Sequence, residues 1–480
     1  MKKNEGLQLI DFKKGRISPN KVNAFTLSTM TNSCSKAKNV DFDRKIGSVV
    51  PRKGCNELAS LSGTYHGSGV FKNKNGTVNV FLQSRNALID VWNGTSITTS
   101  AFAIHATNKF RTATLGGRVF AVDGAKMFSS ADGINWDLTN CIAGVAPSII
   151  TRNKQHMLCA GDTANPDRVY FSSVIDPTLS PFIKWNTSVY ASADGGWIDV
   201  NPDDNSNITA LEETSDTLLV FKENSIYRVD AITKSVSPTN IYNIGAPSQE
   251  AVTRCRGMVY FYSGQEILRT DGSYPEQISR LAIQDYLDVI VDKTAVNLYS
   301  DERTVYVSIG NVTLKGEGYK NVVLKFSVLD ESWTLYEYPF FVKNTELYKE
   351  ELVGMSGDKL SKLQTGFTDF GGDIPFNFET QNLFITGVEL KTITDRIVFI
   401  SRNATSTNAY CVLDGLGNNR KIKDMDVKLS DIVIASKPSN LEFRTIAFGW
   451  QGIANDGIGD NEPELLGIQV EVINSLGMAL

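Results

Sequence analysis

One short hairpin pattern occurs twice in this chain. The stretch "LLVFKENSIYRVD", residues 218–230, aligns without a gap with "VYFYSGQEILRTD", residues 259–271. The alignment pairs Ile226 with Ile267, Arg228 with Arg269 and Asp230 with Asp271. Each copy has two short apolar strands around a polar tip, and a repeat of about 40 to 50 residues is typical of β-propeller blades. A blade cannot bury its faces alone, so the repeat predicts a ring of similar sheets.

The same pattern recurs over about 290 residues. Apolar residues alternate at period two, and pairs such as Asn75-Gly76 and Asp123-Gly124 favour tight turns between strands. The hairpins cover residues 77–94, 117–133, 156–173, 218–230, 259–271, 303–330 and 352–366. We therefore predict an all-β fold containing a β-propeller of about seven blades, with six to eight compatible with the spacing. The span 142–215 fits one blade or parts of two, and residues 58–72 are the candidate ring-closing strand.

The chain divides into three parts by pattern. Residues 1–60 have little apolar periodicity and are predicted to run as an extended N-terminal arm. Residues 61–366 hold the repeated hairpins, and residues 367–480 contain strand patterns typical of a C-terminal β-sandwich domain. The clearest helical period lies in residues 278–293, where apolar residues recur at helical spacing.

Composition excludes several classes of protein. The 480 residues carry a net charge of −5, with 41% apolar residues, and no stretch is long and apolar enough to span a membrane. The first residues lack the apolar segment of a signal peptide, so we expect synthesis in a cytoplasm. Six scattered cysteines without a CxxC pair favour reduced, buried thiols. Three histidines without an HExxH motif supply neither a histidine metal cluster nor a Ser-His-Asp relay.

Two motifs are reminiscent of known sites. "SADGINWD", residues 130–137, is similar to the Asp-box of sialidase-type propellers, although one residue shorter. We expect Asp132 to accept backbone amides in a turn, Gly133 to adopt a positive φ and Trp136 to pack between blades.

The alternating Asp and Asn residues between 199 and 207 superficially resemble a calcium loop. The central Gly and the closing Glu of such a loop are missing, and Ala210 stands in the last place. For the acidic loop 455–464 we likewise expect no metal site. We predict no metal and no cofactor.

Four longer phrases resemble the β-propeller tail and neck proteins of tailed bacteriophages, which include packaged-DNA stabilisation and tail hub or nozzle proteins. The first is Asn39–Asp41 followed by "IGSVVPRKG", which is similar to the arm that enters the first blade. The others are Gly196–Val229, a polar loop leading into an "LLVF" hairpin, Ile244–Ile283, with a Gly-x-x-Ser entry, an Asp-Gly turn and a closing Ile-Ser, and "DIPFNFETQNL" at Asp373–Leu383. Together they cover most of the chain.

The resemblance implies a virion structural protein of the tail or neck, made in the host bacterial cytoplasm and not an enzyme. It implies a homo-oligomeric ring, sixfold or twelvefold, around the DNA exit channel, with other tail or neck proteins as partners. Such a ring helps to retain and deliver the packaged genome, and DNA is a partner only in passage. The net charge of −5 fits a channel wall better than a DNA clamp, which needs a basic face.

The densest basic cluster outside the extreme N-terminus consists of Arg44, Lys45, Arg52 and Lys53. We predict that these four residues contact DNA or an acidic neighbour during assembly, against the alternative of a solvated arm.

Two other functions stay open from the residues alone. A glycan-cleaving, sialidase-like propeller is suggested only by the Asp-box, and no spacing selects its arginine cluster and tyrosine nucleophile. A glycan- or receptor-binding propeller at the tail tip would use exposed tryptophans, for which the candidates are Trp92, Trp136, Trp185 and Trp197. Those tryptophans also suit packing between blades.

Overall fold

Strands and turns account for nearly all of the described chain. The computed structural model describes residues 7–9, 12, 14–17, 33–45, 47–61, 63–176, 178–204, 206–215, 217–230, 235–238, 244–356, 358–383, 391–403, 407–413, 419–425, 433–438, 441–443, 445–454 and 462–475. Within these ranges there is a single α-helical turn, α1 (Gln284–Leu287), together with short 3₁₀ turns. The protein is therefore all-β, as its sequence predicts.

The N-terminal segment contributes strands to several sheets. Its strands are β1 (Leu7–Leu9), β2 (Cys34–Lys38), β3 (Val40–Asp41), β4 (Val50–Pro51) and β5 (Cys55–Ser60). β1 joins a C-terminal sheet, β2 lies inside a nine-stranded sheet, β3 pairs with β4, and β5 joins the last sheet of the propeller. Where the structure describes it, the predicted extended arm thus contains short strands that connect the parts of the molecule.

The repeated region forms antiparallel sheets in chain order. Sheet 1 contains β6 (Tyr65–Lys72), β7 (Asn79–Arg85), β8 (Leu88–Trp92) and β9 (Ile97–Thr99); sheet 2 contains β10 (Arg111–Leu115), β11 (Arg118–Val122), β12 (Met127–Ser130) and β13 (Trp136–Asp137). Sheet 3 contains β14 (Ile149–Asn153), β15 (His156–Ala160), β16 (Arg168–Phe171) and β17 (Gly196–Asp199); sheet 4 contains β18 (Ile208–Glu213), β19 (Leu218–Lys222), β20 (Ile226–Asp230) and β21 (Ser235–Pro238).

The remaining sheets of this region continue the series. Sheet 5 contains β22 (Val252–Cys255), β23 (Met258–Tyr262), β24 (Ile267–Thr270) and β25 (Glu276–Gln277); sheet 6 contains β26 (Asn297–Ser300), β27 (Thr304–Leu314), β28 (Glu317–Ser327) and β29 (Ser332–Glu337). Sheet 7 contains β30 (Val342–Tyr348), β31 (Glu351–Ser356), β32 (Lys359–Leu363), β5, β33 (Thr368–Asp369) and β34 (Gly372–Asp373).

These sheets are arranged as a β-propeller. Sheets 1–5 and sheet 7 are blades of their own, and between sheets 5 and 7 the four strands of sheet 6 form one end of a larger, nine-stranded sheet. The innermost strands β6, β10, β14, β18, β22, β26 and β30 contact one another in a closed circle and surround a central channel. All the hairpins predicted from the sequence are present as the second and third strands of these sheets.

The C-terminal strands form two sheets. They are β35 (Pro375–Thr380), β36 (Lys391–Arg402), β37 (Thr407–Leu413), β38 (Asn419–Met425), β39 (Val433–Pro438), β40 (Leu441–Phe443), β41 (Ile446–Ile453) and β42 (Glu464–Ser475). One sheet continues from sheet 6 in the order β29-β2-β35-β41-β37-β38, and the other has the order β1-β42-β36-β39, with β40 beside β36. Buried residues of both sheets, such as Trp450 and Phe399, belong to one hydrophobic cluster.

Two details of the sequence prediction need correction, and a third is narrowed. The ring-closing strand is β5, which ends at Ser60, and residues 65–72 form the innermost strand β6 instead. The span 142–215 holds sheet 3 together with the start of sheet 4, which lies within the predicted alternatives of one blade or parts of two. The helical period at 278–293 gives only α1, because Ile283, Tyr286 and Leu287 are buried in the cluster beneath sheet 6 while the segment connects two neighbouring sheets.

Candidate functional site

The four basic residues of the N-terminal segment lie where it passes from the C-terminal sheets to the propeller. Arg44 and Lys45 follow β3, and Arg52 and Lys53 follow β4. Strand β3 pairs with β4, and Val49 next to β4 forms a bridge with Leu465 at the start of β42. The short β3–β4 hairpin therefore fixes the cluster at this junction.

Arg52 is a buried structural residue. Only 1% of it is exposed, and its guanidinium donates to Asp369 at 3.0 Å and to the carbonyl oxygens of Glu337 and Lys53. The same group lies over the ring of Tyr338, 4.1 Å from its centroid. A buried arginine with these partners holds the N-terminal segment against sheet 7. In this conformation Arg52 is not accessible to DNA or to a neighbouring protein.

The other three basic residues are more accessible. Arg44 forms ion pairs with Asp41 at 2.9 Å and Glu462 at 2.6 Å, and Lys45 forms them with Glu462 at 3.4 Å and Glu464 at 3.0 Å. The Lys45 side chain is nevertheless 41% exposed. The half-buried Lys53 places its ammonium 4.9 Å from the ring centroid of Phe367. Contact of these residues with DNA or an acidic partner stays a prediction.

These accessible residues line a charged cleft, which we call the junction cleft. Its volume is about 950 Å³, and it is bounded by Arg44, Lys45 and Lys53 from the N-terminal segment, by 301–304 from the first turn of sheet 6 and by 350–352 from the first turn of sheet 7. Residues of both signs meet here, including Glu350, Glu351 and Lys362. Mixed charge suits a polar protein interface better than a phosphate backbone, which requires an excess of cations.

A buried charge cluster supports the junction cleft from below. The Lys325 ammonium lies 2.6 Å from Asp41 and 2.7 Å from Asp43, and the hydroxyl of Tyr336 donates to Asp41. Burial opposes the charge on Asp41, but Lys325 and Arg44 outweigh it and hold the pKa of Asp41 below its usual value. The sequence reasoning missed this cluster. The signal was Lys325 inside the apolar run "VVLKFSVL", because a lysine in a buried strand requires an acidic partner.

The Asp-box turn has the structural role predicted for it. Asp132 accepts the backbone N–H groups of Ile134 and Asn135, each at 2.8 Å, and Gly133 has φ +81°. Trp136 donates its indole N–H to the carbonyl of Gly133 and packs in a cluster shared by sheets 1 and 2. The prediction for all three residues is confirmed.

The other candidate tryptophans also make packing contacts. The ring of Trp92 lies 5.1 Å from that of Tyr348 in sheet 7. Trp185 donates to the carbonyl of Asn140 at 2.8 Å, and Trp197 lies under the guanidinium of Arg168, 3.6 Å away. These contacts explain the positions of the tryptophans without a bound sugar.

In the calcium-like loop, aspartate side chains form ion pairs with basic side chains of the protein. Asp199 pairs with Arg168 at 2.9 Å, and Asp204 pairs with the buried Lys222 at 2.7 Å. Across the described residues, no group of three or more His, Cys, Asp or Glu side chains has the arrangement of a metal site. Residues 455–461 of the second acidic loop lie outside the described residues.

The cysteines are free thiols throughout the described chain, as the sequence predicts. Five are buried, and only Cys141 is partly exposed. Burial raises the pKa of Cys255 to about 11 and that of Cys141 to about 12, so these thiols stay protonated near neutral pH.

The central channel of the propeller is a second polar cavity, of about 790 Å³. Arg111 of sheet 2 reaches Glu250, which precedes sheet 5, at 2.8 and 3.0 Å, and so bridges the channel. At the other end Arg254 of sheet 5 pairs with Glu213 of sheet 4 at 2.7 Å. A cavity of this size, crossed by side chains, is too narrow for a DNA duplex.

Comparisons with known proteins give the chain no family. No protein-family model matches it, and no curated protein matches its sequence. Among solved structures, BamB from Moraxella catarrhalis has a TM-score of 0.39 at 10% identity, covering 66% of this chain and 91% of BamB. The β-propeller domain of Cps50 (Swd1) from Myceliophteria thermophila has a TM-score of 0.43 at 11% identity, covering 65% of this chain and 99% of that domain.

A third similar structure covers more of this chain. It is the extracellular domain of the putative one-component system BT4673 from B. thetaiotaomicron, with a TM-score of 0.44 at 8% identity, covering 91% of this chain and 63% of that domain. The described part of the chain contains no helix with the length and apolar character needed to cross a membrane.

Proposed function

We propose that this protein is a non-catalytic structural component of a bacteriophage tail or neck, in which copies form a ring around the DNA exit channel and help to retain and deliver the genome. One observation carries the proposal beyond the sequence resemblance. The nine-stranded sheet runs from sheet 6 of the propeller through β2 into the C-terminal strands. A continuous hydrogen-bonded sheet makes the two parts rigid relative to each other, and rigidity suits a conduit that holds DNA under pressure.

Buried ion pairs between distant parts of the chain give further support. Arg16 in the N-terminal segment binds Asp285 of α1 at 2.7 Å, with both side chains 5% exposed. Similarly, Arg52, which follows β4, binds Asp369, and Lys325 of β28 binds Asp41. These pairs tie the N-terminal segment to α1, to sheet 6 and to sheet 7, so the segment is fixed to the propeller at three places.

We also propose a finer description of the architecture. The four strands of sheet 6 act as a blade, which gives a seven-bladed propeller closed by β5. The two C-terminal sheets act as a β-sandwich, since their buried faces share one hydrophobic cluster that includes Trp450, Phe399 and Ile468. In this description the sandwich begins with β35 at Pro375, close to the predicted boundary at residue 367.

The DNA path in this proposal lies between the copies of a ring. The channel inside each propeller is bridged by Arg111 and Glu250 and is too narrow. A sixfold or twelvefold ring of head-to-tail contacts would enclose a wider opening. The junction cleft, with accessible charges of both signs, is the surface that we assign to a neighbouring tail or neck protein.

The first test is to locate the protein in virions. Antibody raised against the recombinant chain, with a gold label, is applied to purified phage particles from a producing culture and viewed by electron microscopy. Label at the neck or tail is expected. Absence of label from intact particles and from particles opened at the tail would rule out the virion role.

A second test concerns the junction cleft. Lys45→Ser with Lys53→Ser removes two accessible cations of the cleft and is expected to reduce incorporation into particles without lowering the melting temperature. The control is Lys315→Ser with Lys320→Ser, two exposed lysines of the β27–β28 hairpin, which should incorporate normally. Arg52 is left unchanged because its replacement would disturb the fold. Normal incorporation of the Lys45 and Lys53 variant would remove the cleft from the assembly interface.

A further inference from the structure

Basic residues collect at the end of the central channel where the innermost strands begin, which we call the entry mouth. Lys109 lies two residues before the start of β10, Lys343 is the second residue of β30, and His66 is the second residue of β6. Strand β6 contacts both β10 and β30, and the N–H of Phe110 donates to the carbonyl of His66 at 3.2 Å. The three basic side chains therefore come from neighbouring strands of the ring.

The acidic residues near the entry mouth neutralise this group only in part, because Glu250 is shared between Lys109 and Arg111. Glu250 holds Arg111 with both of its oxygens and lies 3.9 Å from Lys109. Among the described residues, no carboxylate lies within 4.0 Å of the Lys343 ammonium. Glu346, the next acidic residue along β30, instead accepts from the hydroxyl of Ser68 at 3.4 Å.

The backbone of β30 has an irregularity at this point. The pairing of β30 with β31 shifts register between Lys343 and Glu346, and Asn344 between them has φ +50°. A β-bulge re-aims side chains, and a left-handed conformation at a residue other than glycine is strained. Asn344 lines the channel, and its side-chain nitrogen is buried without a hydrogen-bond partner. The residue that follows Lys343 in the bulge thus has a side-chain N–H donor without a partner.

The charges at the entry mouth repel one another. Burial and the neighbouring Lys109 lower the pKa of Lys343, and burial together with Lys343 and Lys109 lowers the pKa of His66. Arg111 adds a further positive group here, and Glu250 is the acidic residue that contacts these cations among the described residues. An anion bound here would relieve this repulsion and accept the free N–H of Asn344.

We propose that the entry mouth binds the phosphate group of a small ligand, with Lys343, Lys109 and the side-chain nitrogen of Asn344 as its donors. A phosphate has several oxygens and up to two negative charges, so it can accept from donors on different strands. The Arg111–Glu250 bridge and the carboxyl groups of Glu346 and Glu212 lie beside the path into the channel and limit the anion to the mouth. This inference is independent of the proposed virion role.

Isothermal titration calorimetry of the full chain in phosphate-free buffer tests the site. Inorganic phosphate and phenyl phosphate are the two probes. Saturable binding is expected for at least one of them, and tighter binding of phenyl phosphate would identify an organic phosphate as the ligand class, whereas equal binding would identify free phosphate. No saturable binding of either probe would overturn the proposal.

Two variants connect binding to the named donors. Lys343→Gln is expected to weaken binding about tenfold, the usual effect of losing one charge-assisted hydrogen bond. Asn344→Gly keeps the left-handed backbone conformation, removes the amide donor and should weaken binding severalfold. The control Lys320→Gln changes an exposed lysine of sheet 6 and should bind as the unmodified protein does. If Lys343→Gln does not fold, the phosphate affinities of Lys343→Arg and of Asn344→Gly are compared with that of the unmodified protein instead. Unchanged affinity in the folded variants would overturn the assignment.

Discussion

Charged side chains inside this protein lie where different parts of the chain meet. Arg16, Arg52 and Lys325 are each less than a tenth exposed and each bind a carboxylate that is far away in sequence. A buried pair adds little stability relative to apolar residues of the same size, but removing one partner leaves an uncompensated buried charge. These residues therefore fix which segments lie together rather than provide much of the folding energy.

Replacing Arg52 is expected to destabilise the protein strongly. Arg52→Met leaves Asp369, which is 7% exposed, without its partner, and the free energy of unfolding should fall by about 3 kcal/mol. The matched control is Lys362→Met, which breaks an ion pair with Glu351 whose side chains are 30% and 46% exposed, and which should cost less than about 1 kcal/mol. Urea unfolding followed by fluorescence measures both values. Equal losses in the two variants would contradict the structural role of Arg52.

Glu346 gives the protein a dependence of stability on pH. Burial raises its pKa from the ordinary 4.5 to about 7. The folded protein therefore keeps a proton that the unfolded chain loses, and the stability present below pH 4.5 is lost as the pH rises towards 7. Glu346→Gln does not titrate, so its stability should match the unmodified protein at pH 4 and exceed it at pH 8.

The expected gain of Glu346→Gln at pH 8 is on the order of 1 kcal/mol, less than the full shift implies because the side chain is partly exposed in the channel. Glu212→Gln should behave in the same way, because burial also raises the pKa of Glu212 to about 7. Thermal unfolding at the two pH values measures the difference. A gain of the same size at pH 4 and pH 8 would argue against a buried, protonated carboxyl.

At the scale of elements, the innermost strands approach closely where one of them carries glycine. A Cβ atom on Gly67 of β6 would lie 1.8 Å from the carbonyl oxygen of Phe110, at the start of the next sheet. The hydrogen bond from Phe110 N–H to His66 holds the two backbones at this distance. The neighbouring sheets can therefore meet around the channel only if this position has no side chain.

Gly67→Ala is therefore expected to disrupt the contact between sheets 1 and 2. The backbone must move to accommodate the methyl group, and overpacking of this kind typically costs about 1–3 kcal/mol. Gly318→Ala in β28 is the control, because an added Cβ there meets nothing within 4 Å, and it should change stability by less than about 0.5 kcal/mol. Thermal unfolding of both variants provides the comparison. A Gly67→Ala protein as stable as the control would show that the two strands can separate freely.

At the scale of the whole molecule, the propeller and the C-terminal sheets are parts of one hydrogen-bonded structure. Strand β2 runs parallel to β29 on one side and antiparallel to β35 on the other, which joins sheet 6 to the C-terminal strands. Strand β5 from the same segment closes sheet 7. The N-terminal segment therefore takes part in both halves of the fold.

This arrangement predicts one cooperative unfolding transition for both parts. Unfolding of the C-terminal sheets would remove β35 from β2 and expose the edge of sheet 6, so neither part should melt alone. Differential scanning calorimetry of the full chain should show a single peak, and limited proteolysis near residue 367 should give no stable propeller fragment. Two separated peaks would indicate that the joint between the parts is weak.

The hairpins were predictable because their information is local. Period-two alternation and turn pairs such as Asp123-Gly124 act within about ten residues, and the strands β11 and β12 appear where the pattern indicates them. The Asp-box turn was predictable for the same reason, because Asp132 bonds only to groups within three residues. The isolated helical period at 278–293 was misleading, since packing beneath sheet 6 allows only one helical turn there.

The burial of the four basic side chains could not be predicted from the sequence around them. Arg44, Lys45, Arg52 and Lys53 are close together in sequence, and a charge count treats them alike. Their surroundings differ because Asp369 comes from 317 residues further along the chain and encloses Arg52, whereas Lys45 remains 41% exposed. The entry mouth was not predictable for a related reason, since Lys343 lies more than 200 residues after Lys109 and His66 in the sequence.

The sequence by itself determined the strands, the turns and the repeated sheet, because alternation of apolar residues and backbone preferences are properties of short segments. The tertiary structure alone decided how the ring closes, which segment joins the propeller to the C-terminal sheets and which charges are buried. Those features depend on contacts between residues such as Lys38 and Leu335 or Leu360 and Ala59, which are about 300 residues apart. Such contacts form only when the whole chain has folded, so no short segment contains the information for them.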